Sequence, residues 1–145
     1  MDPSFTSDSP SLLSGIHQFN QGEYYACHDT LEAIWMAAET TEKPFFQGIL
    51  QLAVGLYHLG NLNWRGAAIL LGEGMRRLEP FEPSYANVDV TALLDCADDW
   101  LATLQQLGPD QVNLLATALQ LTSQDQPGPD ITAHLPKWEI QLTQS

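Results

Sequence analysis

Basic residues are scarce in this chain: five Lys and Arg stand against eighteen Asp and Glu, a formal net charge of −13 over 145 residues. A surface so acidic repels phosphate backbones and anionic headgroups, which excludes nucleic acid and membrane surfaces as partners held by charge. Metal cations and basic peptides or proteins remain allowed. Cysteine is nearly absent too. Cys27 and Cys96 have no CxxC spacing, so neither a disulfide framework nor a zinc pair is expected, and both should pack as small apolar thiols. There is no long apolar run. The most apolar stretch, Phe45 to Leu59, is broken by Gln47, Gln51 and His58 and is shorter than the ~20 residues a bilayer span needs, so it reads as a core helix. The opening residues Met1 to Asp8 lack the basic and apolar regions of a secretory signal, which makes the cytoplasm the expected location. Phosphate-loop, dinucleotide-binding and Gly-x-Ser-x-Gly patterns are also missing.

Period-two alternation is missing as well, whereas apolar residues recur at steps of three and four throughout. The expected fold is therefore all-α, an antiparallel helical bundle of five to six helices in a single domain over residues 1–145, with an extended C-terminal tail over residues 124–145. The pattern predicts helices over 11–19, 23–38, 44–59, 63–78, 90–107 and 110–121. Asn20-Gln21-Gly22, Thr40 to Lys43 and Gly60-Asn61 supply turns, Pro44 suits a first helical turn, and Asp89 suits a cap. Residues Glu79 to Asn87, with Pro80 and Pro83, should cross irregularly. After Pro129, Ile131, Leu135, Trp138 and Ile140 are too apolar for a free tail and should dock on the bundle. Trp64 and Trp100 should likewise anchor packing.

The second and third helices should form a hairpin turning near Thr41, because short connections make antiparallel neighbours. His28 and Glu32 lie four apart, so an imidazole and a carboxylate share one helix face. Hairpin pairing sets Gln51 opposite Leu31 and Glu32, Gln47 opposite Trp35, and His58 opposite Tyr24. His28, Glu32 and Gln51, with His58 or Asp29, could then converge on one point. Two readings follow: a divalent-metal site, zinc or manganese, with His28 and Glu32 as ligands and Trp35, Gln47, Gln51 and His58 in support, or a buried polar network in a non-enzymatic binding or scaffold module. His17 and His134 fall outside this hairpin. Arg65, Arg76 and Arg77 are expected to pair with acids such as Glu73 and Glu79. Gly48 and Gly55 on the third helix, and Gly66 with Ala67 and Ala68 on the fourth, offer small-residue surface for close helix approach, part of which could serve a homodimer.

Phe19 to Trp35, containing His28, Glu32 and Trp35 in a His-x-x-x-Glu-x-x-Trp pattern, is followed by Phe46 to His58, with Gln47-Gly48-Ile49-Leu50-Gln51, and by Gly60-Asn61. Together these resemble domain-of-unknown-function family 309 over about residues 13–78. The resemblance implies a small helical protein of bacterial type with a metal-binding motif, and it supplies no reaction; a protein or small-molecule partner stays open. Met36 stands where family members usually carry a basic residue, and Lys43 stands for another before the third helix.

Overall fold

The computed structural model describes residues 11–143, so the reading of Met1 to Asp8 lies outside the described residues. Helix α1 spans Leu12–Asn20, and the Ser11 hydroxyl caps it by accepting from the Ser14 amide at 3.1 Å. Gly22, at φ +79°, makes the left-handed turn into α2, Tyr24–Ala37. Helix α3, Lys43–Gly60, takes Pro44 in its first turn, and α4, Trp64–Leu78, is capped by Asn63, whose Oδ1 accepts from the Gly66 amide at 2.9 Å. After a 3₁₀ turn over Glu79–Phe81, Asp89 caps α5, Val90–Leu107, accepting from the Ala92 amide at 3.0 Å. A second 3₁₀ turn, Pro109–Gln111, precedes α6, Val112–Ser123. The predicted start of that helix at Asp110 thus falls in the turn before it.

The crossing expected to be irregular holds a small hairpin. Strands β1, Ser84–Tyr85, and β2, Val88–Asp89, pair antiparallel, with Tyr85 opposite Val88. These pairs are too short to show any alternation in the sequence. The tail extends the hairpin on its other side, where Val88 bridges Leu142, the Asp89 amide donates to the Gln141 carbonyl and the Thr143 amide donates to the Asn87 carbonyl, both at 2.8 Å.

Helix α3 lies between α2 and α4 and also touches α6. Phe45, Ile49, Leu52, Ala53 and Leu56 are wholly buried, which accounts for its apolar circumference. The α3–α4 contact is close because it is lined by glycine. A Cβ on Gly74 would lie 2.8 Å from the Gly48 carbonyl oxygen, and one on Gly55 would lie 3.1 Å from Leu71. The small-residue surface of α3 is therefore used inside the chain.

The tail docks as its composition predicts for Leu135, Trp138 and Ile140, all buried, while Ile131 stays 48% exposed. Ile131 sits in a 3₁₀ turn, Asp130–Thr132, which buries Thr132 and leaves the neighbouring isoleucine outward. Polar groups fix the tail in place: Asn20 exchanges two hydrogen bonds with the Ile140 backbone at 2.7 and 3.1 Å, and Trp100 Nε1 donates to the Pro136 carbonyl at 2.8 Å.

Candidate functional site

The α2–α3 hairpin sets the candidate site. Its register is the expected one: Tyr25 packs on Tyr57 with ring centroids 5.4 Å apart, and His28 and His58 line one small cavity. At the turn, Lys43 Nζ donates to the Trp35 and Met36 carbonyls at 2.6 and 3.3 Å and lies 4.5 Å from the Trp35 ring centroid. It thereby adds a donor to the Trp35 carbonyl, which also accepts from the Ala38 amide at 3.2 Å, and supplies one to the Met36 carbonyl, while it places a cation at the negative end of α2 and holds the indole by cation–π attraction. Trp35 Nε1 is buried without a partner, so the motif tryptophan contributes its ring face rather than its N–H.

His28 stands between two carboxylates of its own helix. Its Nδ1 lies 3.2 Å from Asp29 Oδ1, and its Nε2 lies 4.0 Å from Glu32 Oε2. An ionised carboxylate only accepts, so in the neutral imidazole a hydrogen bond to Asp29 requires the proton on Nδ1 and leaves Nε2, 4.0 Å from Glu32, unprotonated. The side chain of His28 is 25% exposed and that of Glu32 54%, so the pair sits at the surface rather than inside a buried network. This corrects the expectation of burial. The (i, i+4) spacing fixes proximity but not depth, and at Glu32 α2 already faces solvent.

His58 is held in the opposite tautomer. Asn63 Oδ1 is occupied by the Gly66 amide, so Asn63 Nδ2 is the donor to His58 Nδ1 at 3.3 Å, and His58 Nε2 carries the proton. In that state neither His58 ring nitrogen keeps a free lone pair, since Nδ1 accepts from Asn63 and Nε2 is protonated. Gln47 is half-buried on α3.

Gln51 is buried, and both ends of its amide are bonded to α4. Its Nε2 donates to Glu73 Oε1 at 3.2 Å, and its Oε1 accepts from Arg77 Nε at 3.0 Å. The expected convergence on His28 and Glu32 is replaced by a network with α4. Hairpin pairing fixes height along α3 and says nothing of rotation about its axis, and the Gly48, Gly55 and Gly74 contacts turn this face toward α4. Glu73 and Arg77, residues the sequence reading did not connect with Gln51, form the other half of that network. Among the described residues, the ion pairs within 4 Å join His28 to Asp29, His28 to Glu32 and Lys137 to Asp125. The expected Arg–carboxylate pairs are absent from that set; between Arg77 and Glu73 stands Gln51, bonded to both. His134 lies away from the site, 3.2 Å from the Thr103 hydroxyl. No three His, Cys, Asp or Glu side chains among the described residues form a group able to hold a metal ion by themselves. No described helix is long and apolar enough to cross a membrane.

A helical hairpin bearing a His-x-x-x-Glu-x-x-Trp face, closed against a third helix through glycine, defines the class of structure. Residues 12–70 match the model of the family described as Domain of unknown function (DUF309), which bears out the resemblance read from the sequence. A similar protein of Bacillus subtilis (strain 168), whose printed name is "Uncharacterized protein YpuF", is 36% identical over 58 residues, 39% of this chain and 33% of that protein. The chain thus aligns with about a third of the relative's length. No solved structure matches. Every candidate site residue from His28 to His58 lies inside the matched segment, whereas α5, α6 and the docked tail lie beyond it.

Proposed function

We propose that this chain binds a divalent cation through His28 Nε2 and Glu32, with Asp29 fixing the imidazole tautomer. The observation that carries the reading is the placement of His28 between Asp29 and Glu32, one carboxylate at each ring nitrogen. A histidine that ligates through one nitrogen characteristically donates its other N–H to a carboxylate or carbonyl, and Asp29 is positioned for that role. Two donors each about 2.1 Å from a tetrahedral ion lie about 3.4 Å apart, so the 4.0 Å gap needs only a small turn of the exposed Glu32 side chain. With two protein ligands, the remaining positions fall to water or to a bound molecule. The ion is then exchangeable and does not hold the fold, consistent with a core assembled from apolar side chains.

A second reading, a helical scaffold specified by polar contacts, finds support in the Gln51, Glu73 and Arg77 network, which fixes α3 against α4 without any ion. The two readings part on one experiment, calorimetric titration of Zn²⁺ and Mn²⁺ into untagged protein. The metal reading expects binding that His28→Ala abolishes, that Glu32→Gln reduces strongly and that Asp29→Asn weakens about 10–100-fold, with far-UV helicity unchanged. Equal binding by wild type and His28→Ala would leave the scaffold reading.

A further inference from the structure

Beside the His28 pair, on its α3 side, lies a cavity of about 140 Å³ lined by Tyr24, Tyr25, His28, Val54, Tyr57 and His58. Five of its six walls are rings. Tyr25 and Tyr57 meet at 5.4 Å with their planes 46° apart, forming a V, and each extends to an imidazole, Tyr25 to His28 at 5.9 Å and Tyr57 to His58 at 6.2 Å. Neither Lys nor Arg lines it. Tyr25 and Tyr57 are 60% and 42% exposed, so part of each ring stays open to solvent. Asp29 and Glu32 stand next to its His28 wall, in a chain with thirteen more acids than bases.

We infer that this cavity is a binding site for the head group of a small alkylated ammonium compound. Ring faces carry negative quadrupole potential, and an alkylammonium combines positive charge with a weakly hydrated apolar surface, so it gains from aromatic walls that would not repay desolvation of a metal ion or a carboxylate. The volume suits one such head group, since an apolar cavity of about 150 Å³ accepts a molecule the size of benzene. An anionic ligand is disfavoured by the adjoining carboxylates and the net charge. A neutral apolar ligand would fill the space but gain nothing from the charge. The site uses ring faces and not the His28 lone pair, so it goes beyond the metal reading and does not depend on it. A metal ion at His28 would oppose the ammonium by charge, and the test is therefore run with chelator present.

Choline and its uncharged carbon isostere, 3,3-dimethylbutan-1-ol, are titrated into the full chain in EDTA, following the ring-proton resonances of Tyr25 and Tyr57. Choline is expected to bind in the millimolar range and at least tenfold more tightly than the isostere. Tyr25→Ala and Tyr57→Ala should each weaken that binding about tenfold, whereas Tyr57→Phe, which keeps the ring face, should retain it. Equal affinity for the uncharged isostere, undiminished binding by the two alanine variants, or no response to choline up to about 50 mM would each overturn the inference. Failure here with zinc binding intact would leave the His28 reading standing, and loss of zinc binding with choline binding intact would do the reverse.

Discussion

Lys43 joins three stabilising contacts in one ammonium group, and two of them lie at the end of α2. Lys43→Met keeps most of the aliphatic stem but removes the charge and its donors. It is expected to cost about 1–2 kcal/mol in urea denaturation, from the lost cap and cation–π contact, and to alter Trp35 emission; an unchanged midpoint would show that neither contact matters. The thiols of Cys27 and Cys96 belong to the same scale. Burial pushes each up to about 12, and Asp99 adds to the rise at Cys96. A thiol raised in the folded state stabilises fully below its unfolded value. That contribution declines as pH rises from the ordinary thiol value of 9.0 toward about 12, because only the unfolded chain ionises there. Native protein should accordingly resist thiol-modifying reagents at neutral pH, and melting temperature should fall between pH 9 and pH 11 less steeply in a Cys27→Ala, Cys96→Ala variant once its own baseline is subtracted. Rapid labelling of both thiols in native protein would contradict their burial. Cys27 and Cys96 were legible as core residues from the sequence because nothing in their spacing called for another role. The task of Lys43 was not, since the end of α2 becomes a partner only once the loop has folded back.

Helix ends were readable to within about two residues because caps and breakers are local chemistry: Ser11, Asn63 and Asp89 each accept from an amide three residues on. Rotation about the α3 axis was not readable, and it decided the fate of Gln51. It depends on glycines that meet across helices, a long-range fit in which Gly48 and Gly74 touch through backbone atoms. This makes a paired prediction possible in α4. Gly72 has only a Leu101 methyl 3.9 Å from an added Cβ, so Gly72→Ala should stabilise by up to about 1 kcal/mol through helix propensity. Gly74→Ala drives its Cβ to 2.8 Å from a backbone oxygen that cannot rotate away, and should destabilise by about 1–3 kcal/mol despite the same propensity gain. Chemical denaturation of the two variants checks this, and equal effects would show that the helices separate freely. The β1–β2 hairpin escaped the sequence reading for a different reason, since two-residue strands carry no period.

Across the whole molecule, the tail clamps α1 to α5 through Asn20, Trp100, Trp138 and Ile140, and burying Leu135, Trp138 and Ile140 contributes about 1.5–3 kcal/mol each. Truncation after Gln126 should lower the melting temperature and expose apolar surface to a dye such as ANS; an unchanged melting curve would reject the clamp. Of the small-residue surface that suggested a homodimer, Gly48 and Gly55 are covered by α4, so self-association has to use other surface, such as the partly exposed Gly66 and Ala68, and work against the −13 charge. We propose that light scattering at low and high salt distinguishes monomer from dimer, with any dimer favoured by salt. The central proposal is that His28 serves as a ligand through an unprotonated Nε2, while His58, lining the same cavity, carries its proton on Nε2. Nitrogen-15 NMR of the histidine rings above pH 8 tests it most directly. The account predicts Nδ1–H for His28, Nε2–H for His58, and a zinc-induced shift confined to Nε2 of His28. Nε2–H on His28, or a zinc response at another histidine, would contradict it.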